Sequence, residues 1–450
     1  MAVGIEADRV TDGGRSTRAD VVIIGGGPAG STAANLLAAR GYRVAVLEKA
    51  HHPRFHIGES LLPANRPLFE RLGVAERVRA IGILKWGAEF VSPCHGRSET
   101  FEFASARNAD LPYSYQVRRS QFDEILIRRA AECGAHVVEG CRACAVELDC
   151  PGGGVRVTAE HEDGSRAIWE GRFLIDASGR DTFLASRLGV KIRNRRHSSA
   201  AIYAHFGGVE RRAGKRAGDI SIYWFEHGWF WVIPLADGAT SVGAVVWPHY
   251  LKQRRGPLRE FLLATVALCP PLAERLKDAT LISEVEATGN YSYSAARAHG
   301  LNYLLVGDAF AFIDPVFSTG VWLAMHGGEV AAETVDACLR TPERAHRTLR
   351  AYARVMRRGP RMFSWFIYRV TNPALRDLFM APSNRLRMRE TLLTILAGDI
   401  FGNTPVRGSL GAFKAAYYLT SLFNLRRTLA AARQRRVNIA PAVPDEAAAR

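Results

Sequence analysis

Three stretches of this 450-residue sequence carry residue types that can do chemistry. The first is Gly307 to Gly320, GDAFAFIDPVFSTG, which follows the apolar run Tyr303-Leu304-Leu305-Val306 and enters a helical pattern of roughly twenty residues from Ser318. The first N–H groups of a helix lack intrahelical partners, so a strand, a small-residue loop and a helix N-terminus together make an anion site. Ser318, Thr319 and Gly320 are slim enough for backbone amides to approach a ligand closely. The same residues also suit an ordinary helix cap. The second stretch, Gly25-Gly26-Gly27-Pro28-Ala29-Gly30, directly follows the strand-like Asp20–Ile24. It precedes an Ala/Leu-rich helix to Arg40 and a second strand, Tyr42 to Leu47, that ends at Glu48. That order of strand, GxGxxG, helix, strand and acid is the context of a dinucleotide site: the glycines admit a pyrophosphate and Glu48 takes ribose hydroxyls. The third is Lys85, in the apolar setting Ile81-Gly82-Ile83-Leu84-Lys85-Trp86-Gly87-Ala88. Only seven of the 60 basic residues are lysine. A guanidinium stays protonated, whereas a desolvated amine can lose its proton and act as a nucleophile or a directed donor.

The totals bound what these residues serve. With 48% apolar and 23% charged residues the chain is a folded globular one, long enough for two domains or one large two-part α/β domain. No run of eighteen apolar residues marks a membrane span, and residues 1–19 read as a polar, flexible tail without a cleavable signal. Seven scattered cysteines suit a reducing cytoplasm. Cys141-Arg142-Ala143-Cys144 has redox spacing but lies in a strand-like stretch with no helix after it, and no metal site is expected. From Arg340 to the end there are 21 Lys and Arg against 6 Asp and Glu, a net +15 of the chain's +16. This reads as an Arg-rich solvated helical face, an anionic-membrane surface or a docking surface for an acidic protein. No zinc, helix-turn-helix or RNA-binding motif accompanies it, so nucleic acid is not an expected partner.

The elements that must position these residues follow from periodicity and punctuation. Pro53 to Pro63 is a loop leading to a helix over Asn65–Leu72, Ser114–Val117 is a strand, and Ser120–Cys133 is an amphipathic helix opened by Arg119 and Asp123. Phe173–Asp176 is a further strand closing on Ala177-Ser178-Gly179-Arg180. Residues 198–290 read as a β-rich insertion, with turns at His227-Gly228 and Asp237-Gly238. From 341 to 450 the chain is helical and basic, interrupted by Pro360, Pro373, Pro382 and Pro405. The expected class is therefore α/β: a Rossmann-like dinucleotide-binding domain over 20–340 with a β-rich substrate-side sheet, followed by a helical C-terminal region.

Over residues 20–400 the chain resembles the flavin-dependent halogenases, of the flavoprotein monooxygenase type. The resemblance rests on Gly25–Gly30, on Trp229-Phe230-Trp231-Val232-Ile233-Pro234, which matches W-x-W-x-I-P, and on Phe312 to Gly320, which matches F-x-x-P-x-x-S-x-G. Pro53–Pro63 and Val117-x-Arg119-x-x-Phe122-Asp123 resemble the family's flavin-side elements. The resemblance implies FAD held by Gly25, Gly27, Pro28, Ala29, Gly30, Glu48, Lys49, Arg54, Ile57, Ser60, Arg119, Asp308, Pro315, Gly320 and Val321. It implies chloride or bromide at the Thr319 and Gly320 amides, and Trp229, Trp231 and Pro234 as a wall between substrate and flavin. It also implies that a separate flavin reductase supplies reduced FAD. Oxygen and halide then yield hypohalous acid, which travels through a tunnel to a lysine. Lys85 matches that lysine, with Ser318 expected as its hydrogen-bonding neighbour.

One departure narrows the substrate. Halogenases of free tryptophan carry a glutamate immediately before the motif serine, where this chain has Phe317. Electron-rich phenols and pyrroles need less help from a carboxylate, and the Arg-rich C-terminal part, including Leu396-Ala397-Gly398-Asp399-Ile400-Phe401, resembles the phenol and pyrrole branch. An acidic carrier protein bearing the aromatic ring would suit the basic C-terminal region. The alternatives of the same fold are a flavin-dependent hydroxylase and a geranylgeranyl-reductase-like oxidoreductase; a different class is a non-catalytic flavin-binding scaffold.

Overall fold

The computed structural model describes residues 16–151, 153–194, 197–289 and 292–439. Residues 1–15 of the expected tail, the end of the expected insertion at 290 and the last residues from 440 lie outside the described residues. The expected tail yields structure before residue 19: Thr17–Arg18 pairs in parallel with Arg166–Gly171 at the edge of a four-stranded sheet.

The nucleotide-binding half is built on five parallel strands in the order Tyr303–Leu305, Phe173–Asp176, Val21–Ile24, Val44–Leu47 and His136–Val138. The continuously apolar central strands, Val21–Ile24 and Val44–Leu47, are buried along their whole length, as strands covered on both faces are, whereas His136–Val138 at the edge is half-buried or exposed. Helices Pro28–Ala38 and Gly320–Arg340 pack on each other, and an added Cβ at Gly328 would lie 2.4 Å from the Ala29 carbonyl oxygen. That close approach brings the two glycine-bearing helix N-termini to the same edge of the sheet.

The second half is organised by a larger sheet that the expected insertion does not contain by itself. Its strands run Thr280–Leu281, Ala200–Gly207, Thr240–Val246, Gly228–Pro234, Ile220–Phe225, Gly87–Ser92 and Arg97–Glu102, with Glu286–Thr288 also pairing on Ala200–Gly207. The pair Gly87–Ser92 and Arg97–Glu102 comes from far outside 198–290, and joins through the parallel contact of Gly87–Ser92 with Ile220–Phe225. Within 248–275 the insertion is helical: Pro248–Lys252, Leu258–Ala267 and Pro270–Arg275. These helices explain why Gly228–Pro234 is apolar throughout. Trp229, Trp231 and Ile233 face one core shared with the C-terminal helices, while Phe230 and Val232 face another shared with Phe261, Leu262 and Val266.

The C-terminal region is helical as expected, but Pro360 does not interrupt it. It sits inside helix Ala345–Ile367, where the Ser364 hydroxyl donates to the Pro360 carbonyl, whereas Pro373 takes the first turn of helix Pro373–Met380. No helix among the described residues is long and apolar enough to cross a membrane. All seven cysteines are free, and Cys141 and Cys144 lie in one strand, Cys141–Glu147.

The indole of Trp231 lies directly over Gly243 of the neighbouring strand: an added Cβ would meet its ring at 2.2 Å. Gly243→Ala is therefore expected to displace Trp231 and lower stability by about 1–3 kcal/mol, read from the midpoint of urea unfolding. An unchanged midpoint contradicts that packing.

Candidate functional site

The two glycine-bearing helix N-termini open into one cavity of about 470 Å³. Gly25 supplies its first turn, with φ +99° and no room for a Cβ, which would lie 2.4 Å from the Ala177 carbonyl. At Gly27 the nearest atom to an added Cβ is Arg54 Nη2 at 3.7 Å, so the backbone faces open space. Gly30 has a different role. It does not line the cavity; an added Cβ there would lie 1.9 Å from the Gly25 carbonyl oxygen, so this glycine lets helix and loop pack. The other expected flavin residues (Gly25, Gly27, Pro28, Ala29, Glu48, Lys49, Arg54, Ile57, Ser60, Arg119, Asp308, Pro315, Gly320 and Val321) all line the cavity.

Their geometry fits a dinucleotide. Glu48 ends its strand with a buried carboxylate that accepts the N–H of Gly26 at 2.6 Å and of Ala50 at 3.0 Å, which fixes it beside the glycine loop. Arg119 makes a paired hydrogen bond to Asp123 at 2.8 and 2.9 Å and donates to the Ile57 carbonyl at 2.9 Å, tying the flavin-side loop to helix Arg119–Glu132. Burial alone would raise the Asp123 pKa, but Arg119 outweighs it and holds the carboxyl below its usual range. Asp308, at the far wall, has its pKa pushed up to about 6 by burial. His56, which also lines the cavity, is pushed down to about 4 by burial and then by Arg119, so the imidazole is neutral at pH 7.

The anion loop is not an ordinary cap. Thr319 occupies the N-cap position of helix Gly320–Arg340 without a side-chain cap bond, and its buried hydroxyl has no partner among the described residues. Ser318 takes the left-handed conformation at φ +56°, and an added Cβ at Gly320 meets nothing within 4 Å. Ser318 and Gly320 line the cavity; Thr319 stands just behind them.

Lys85 is buried at 1% exposure at the end of the short strand Ile83–Lys85. Its Nζ donates to Ser60 Oγ at 2.9 Å and to the Leu61 carbonyl at 3.0 Å. The expected neighbour, Ser318, is replaced in that role by Ser60, because the loop before helix Arg66–Leu72 reaches the lysine first. Lys85 does not line the cavity, whereas Ser60 does, so Ser60 joins the two. Burial lowers the amine's pKa to about 7, with Asp219 pulling it back up. Asp219 forms no ion pair with Lys85 among the described residues; its Oδ1 accepts the N–H groups of Trp86 and Gly87, both at 2.8 Å.

Trp229 and Trp231 line the cavity side by side, ring centroids 6.0 Å apart, and Tyr203 packs on Trp231 at 6.0 Å. Trp231 Nε1 donates to Ser241 Oγ at 3.1 Å, which fixes the ring. Pro234 is not part of this wall; it ends the strand opposite Thr240 and does not line the cavity. Two features escaped sequence reasoning. Ser178 to Asp181 line the cavity after strand Phe173–Asp176, with Asp181 paired to Lys49; the signal was a Gly-containing turn directly after a buried strand. Glu59, inside the flavin-side loop, is buried against His205 at 2.9 Å, a pairing across 146 residues that no local spacing reveals.

This fold and cavity define an FAD-binding flavoprotein, and residues 18–355 match the FAD binding domain family. The chain is 36% identical to the flavin-dependent halogenase armH1 of Armillaria mellea over 72% of this chain, spanning 65% of the length of that relative. It is 30% identical to the 1H-pyrrole-2-carbonyl-(peptidyl-carrier protein) chlorinase of Pseudomonas fluorescens, over 85% of this chain and 89% of the other. Among solved structures, a flavoprotein/dehydrogenase from Cytophaga hutchinsonii superimposes with a TM-score of 0.82 at 28% identity, covering 91% of this chain and all of that one. The myxobacterial chondrochloren halogenase CndH gives 0.74 at 31% identity, covering 90% and 96%. The chain belongs to the flavin-dependent halogenases.

A buried amine ionising near pH 7 leaves a signature in stability. Between pH 7 and the unfolded value of 10.5, the unfolded chain holds a proton on Lys85 that the folded chain does not, so folded stability rises with pH through this window. Relative to Lys85→Met, wild type should gain about 1.4 kcal/mol per pH unit between pH 7 and 9 in urea unfolding. A difference independent of pH contradicts the depressed pKa.

Proposed function

We propose that this enzyme uses reduced FAD, oxygen and chloride or bromide to halogenate an electron-rich aromatic ring, a phenol or a pyrrole. The observation that carries this reading is the buried amine of Lys85, linked through Ser60 to a cavity closed on one side by Trp229 and Trp231. Bound reduced FAD supplies the oxygen-activating chemistry. Gly25, Gly27, Arg54, Arg119 and Asp308 are proposed to hold it, and the Thr319 and Gly320 amides with the Thr319 hydroxyl to hold halide. The tryptophan wall keeps a ring substrate from the flavin. Lys85 Nζ would act on hypohalous acid: as the neutral amine it would form an N–halogen bond as the oxygen–halogen bond breaks, the hydroxide leaving as water with the amine's proton; as the ammonium it would donate a hydrogen bond to the hypohalous oxygen. The absence of a carboxylate before Ser318 favours the electron-rich substrate. Phe317 is buried against Phe366 and Phe379, where a charge would be costly.

A carrier-tethered ring is the proposed form of the substrate, and a separate cytoplasmic flavin reductase the source of reduced FAD. The basic C-terminal helices support a carrier partner: Leu422 and Phe423 are exposed a few residues from Arg426 and Arg427 in a region of net positive charge that suits an acidic protein. A second reading, an oxidoreductase that does not halogenate, is favoured by the likeness to the flavoprotein/dehydrogenase.

The test combines purified protein, FAD, a flavin reductase, NADH, oxygen and bromide with phenols and pyrroles, free and carrier-bound. The expected product shows the bromine isotope doublet in mass spectrometry and falls by at least about 100-fold in Lys85→Ala, which should still bind FAD. A hydroxylated product, or bromination undiminished in Lys85→Ala, overturns the assignment.

A further inference from the structure

A second buried polar cluster reaches the anion loop from the far end of the chain. Asp314, four residues before Ser318, caps the short turn Pro315–Phe317 by accepting the Val316 N–H at 3.3 Å through Oδ1. Its Oδ2 accepts the Ser199 hydroxyl at 2.9 Å and faces His197 Nε2 at 3.2 Å. The other ring nitrogen of His197 faces Arg435 Nη2 at 3.2 Å, and Arg435 also donates to the Tyr368 carbonyl. His197, Ser199 and Asp314 are all nearly inaccessible, at 3%, 3% and 2% exposure. A guanidinium only donates, so Nδ1 of His197 must accept and Nε2 must carry the proton given to Asp314. Tyr368 and Trp247 pack against the imidazole at centroid distances of 5.1 and 5.9 Å.

We infer that Arg435, acting through His197 and Asp314, is a positioning residue for the anion loop, so that the last helix, Leu425–Ile439, sets halide affinity. The argument is conformational. A non-glycine residue in the left-handed region is strained, and Ser318 holds that conformation only if the loop is fixed at both ends. Helix Gly320–Arg340 fixes the exit. Asp314 fixes the entry, and its buried carboxylate needs the donors that His197 and Ser199 bring, with Arg435 holding the imidazole in the donating tautomer. The inference rests on the halide reading of Thr319 and Gly320.

The experiment titrates FAD-loaded protein with sodium bromide and reads the bromide-dependent rise in Tm, with FAD affinity measured separately by flavin fluorescence. Arg435→Met keeps an unbranched apolar stem and removes the donors. The expected result is a bromide midpoint raised about fivefold or more with FAD affinity unchanged, and partial recovery in Arg435→Lys. Ser199→Ala and Asp314→Asn, which act on the same carboxylate, should raise the midpoint in the same direction if Arg435→Met fails to fold. A bromide midpoint unchanged in a folded Arg435→Met, or bromide and FAD affinities falling together, overturns the inference. A wild-type protein with no saturable bromide response overturns the halide reading itself, and the inference with it.

Discussion

The constraint on which the rest depends is the removal of one amine from water. An ammonium in an apolar interior is stabilised chiefly by close carboxylates, and among the described residues none pairs with Lys85: one oxygen of Asp219 accepts two backbone N–H groups, while Lys85 donates to the Ser60 hydroxyl and the Leu61 carbonyl and lies 5.3 Å from the centre of the Phe103 ring. The cheaper outcome is to give up the proton, hence a pKa near 7. Several elements exist to hold that arrangement. Strand Ile83–Lys85 pairs with Ser114–Gln116, placing Lys85 opposite Ser114, and Ser60 bridges to Gln116, so the flavin-side loop and the lysine strand are both held by one short strand. Arg119, two residues beyond Val117 in the same segment, holds the other part of that loop through Ile57.

Around this amine the two halves of the molecule divide the work. The parallel sheet aims two helix N-termini at one cavity, giving positive ends where the proposed anions would sit. The larger sheet, covered on both faces, is stiff enough to present Trp229 and Trp231 as a wall, and Gly243 makes room for one of the rings. The C-terminal helices complete the same core as that wall and the anion loop, since Ile313, Val316 and Phe317 pack with Phe363, Phe366 and Leu396. A region that looks like an appendage by charge is thus part of the site's foundation by packing.

What was legible in the sequence follows the range of the interaction. The glycine loop was readable because its requirement is local: a strand, a turn with no Cβ and a helix, at fixed spacing. The place of Glu48 beside the glycine loop and of Arg119 and Asp123 at the start of their helix was readable for the same reason, and Lys85 stood out because the chain otherwise uses arginine. Where the structure differs, the role was decided by packing that residue types alone do not show. Gly30 serves packing rather than ligand, Pro234 stands off the wall, and Ser60 displaces Ser318 beside the lysine, because side-chain direction and loop path are settled by tertiary packing. Glu59 with His205, and His197 with Asp314 and Arg435, join residues more than a hundred positions apart, and no periodicity encodes them. The same holds for Gly87–Glu102 joining the substrate-side sheet and for Thr17–Arg18 joining an edge.

The small number of lysines makes the central claim directly measurable. Protein labelled with nitrogen-15 at lysine Nζ carries seven such groups, and nuclear magnetic resonance titration follows each, with Lys85 assigned by the signal missing in Lys85→Met. The account predicts that the Lys85 amine titrates near pH 7 and is shielded from water. All seven titrating near the ordinary lysine value would contradict it, and would leave the cavity as a flavin site without its proposed halogen-handling amine.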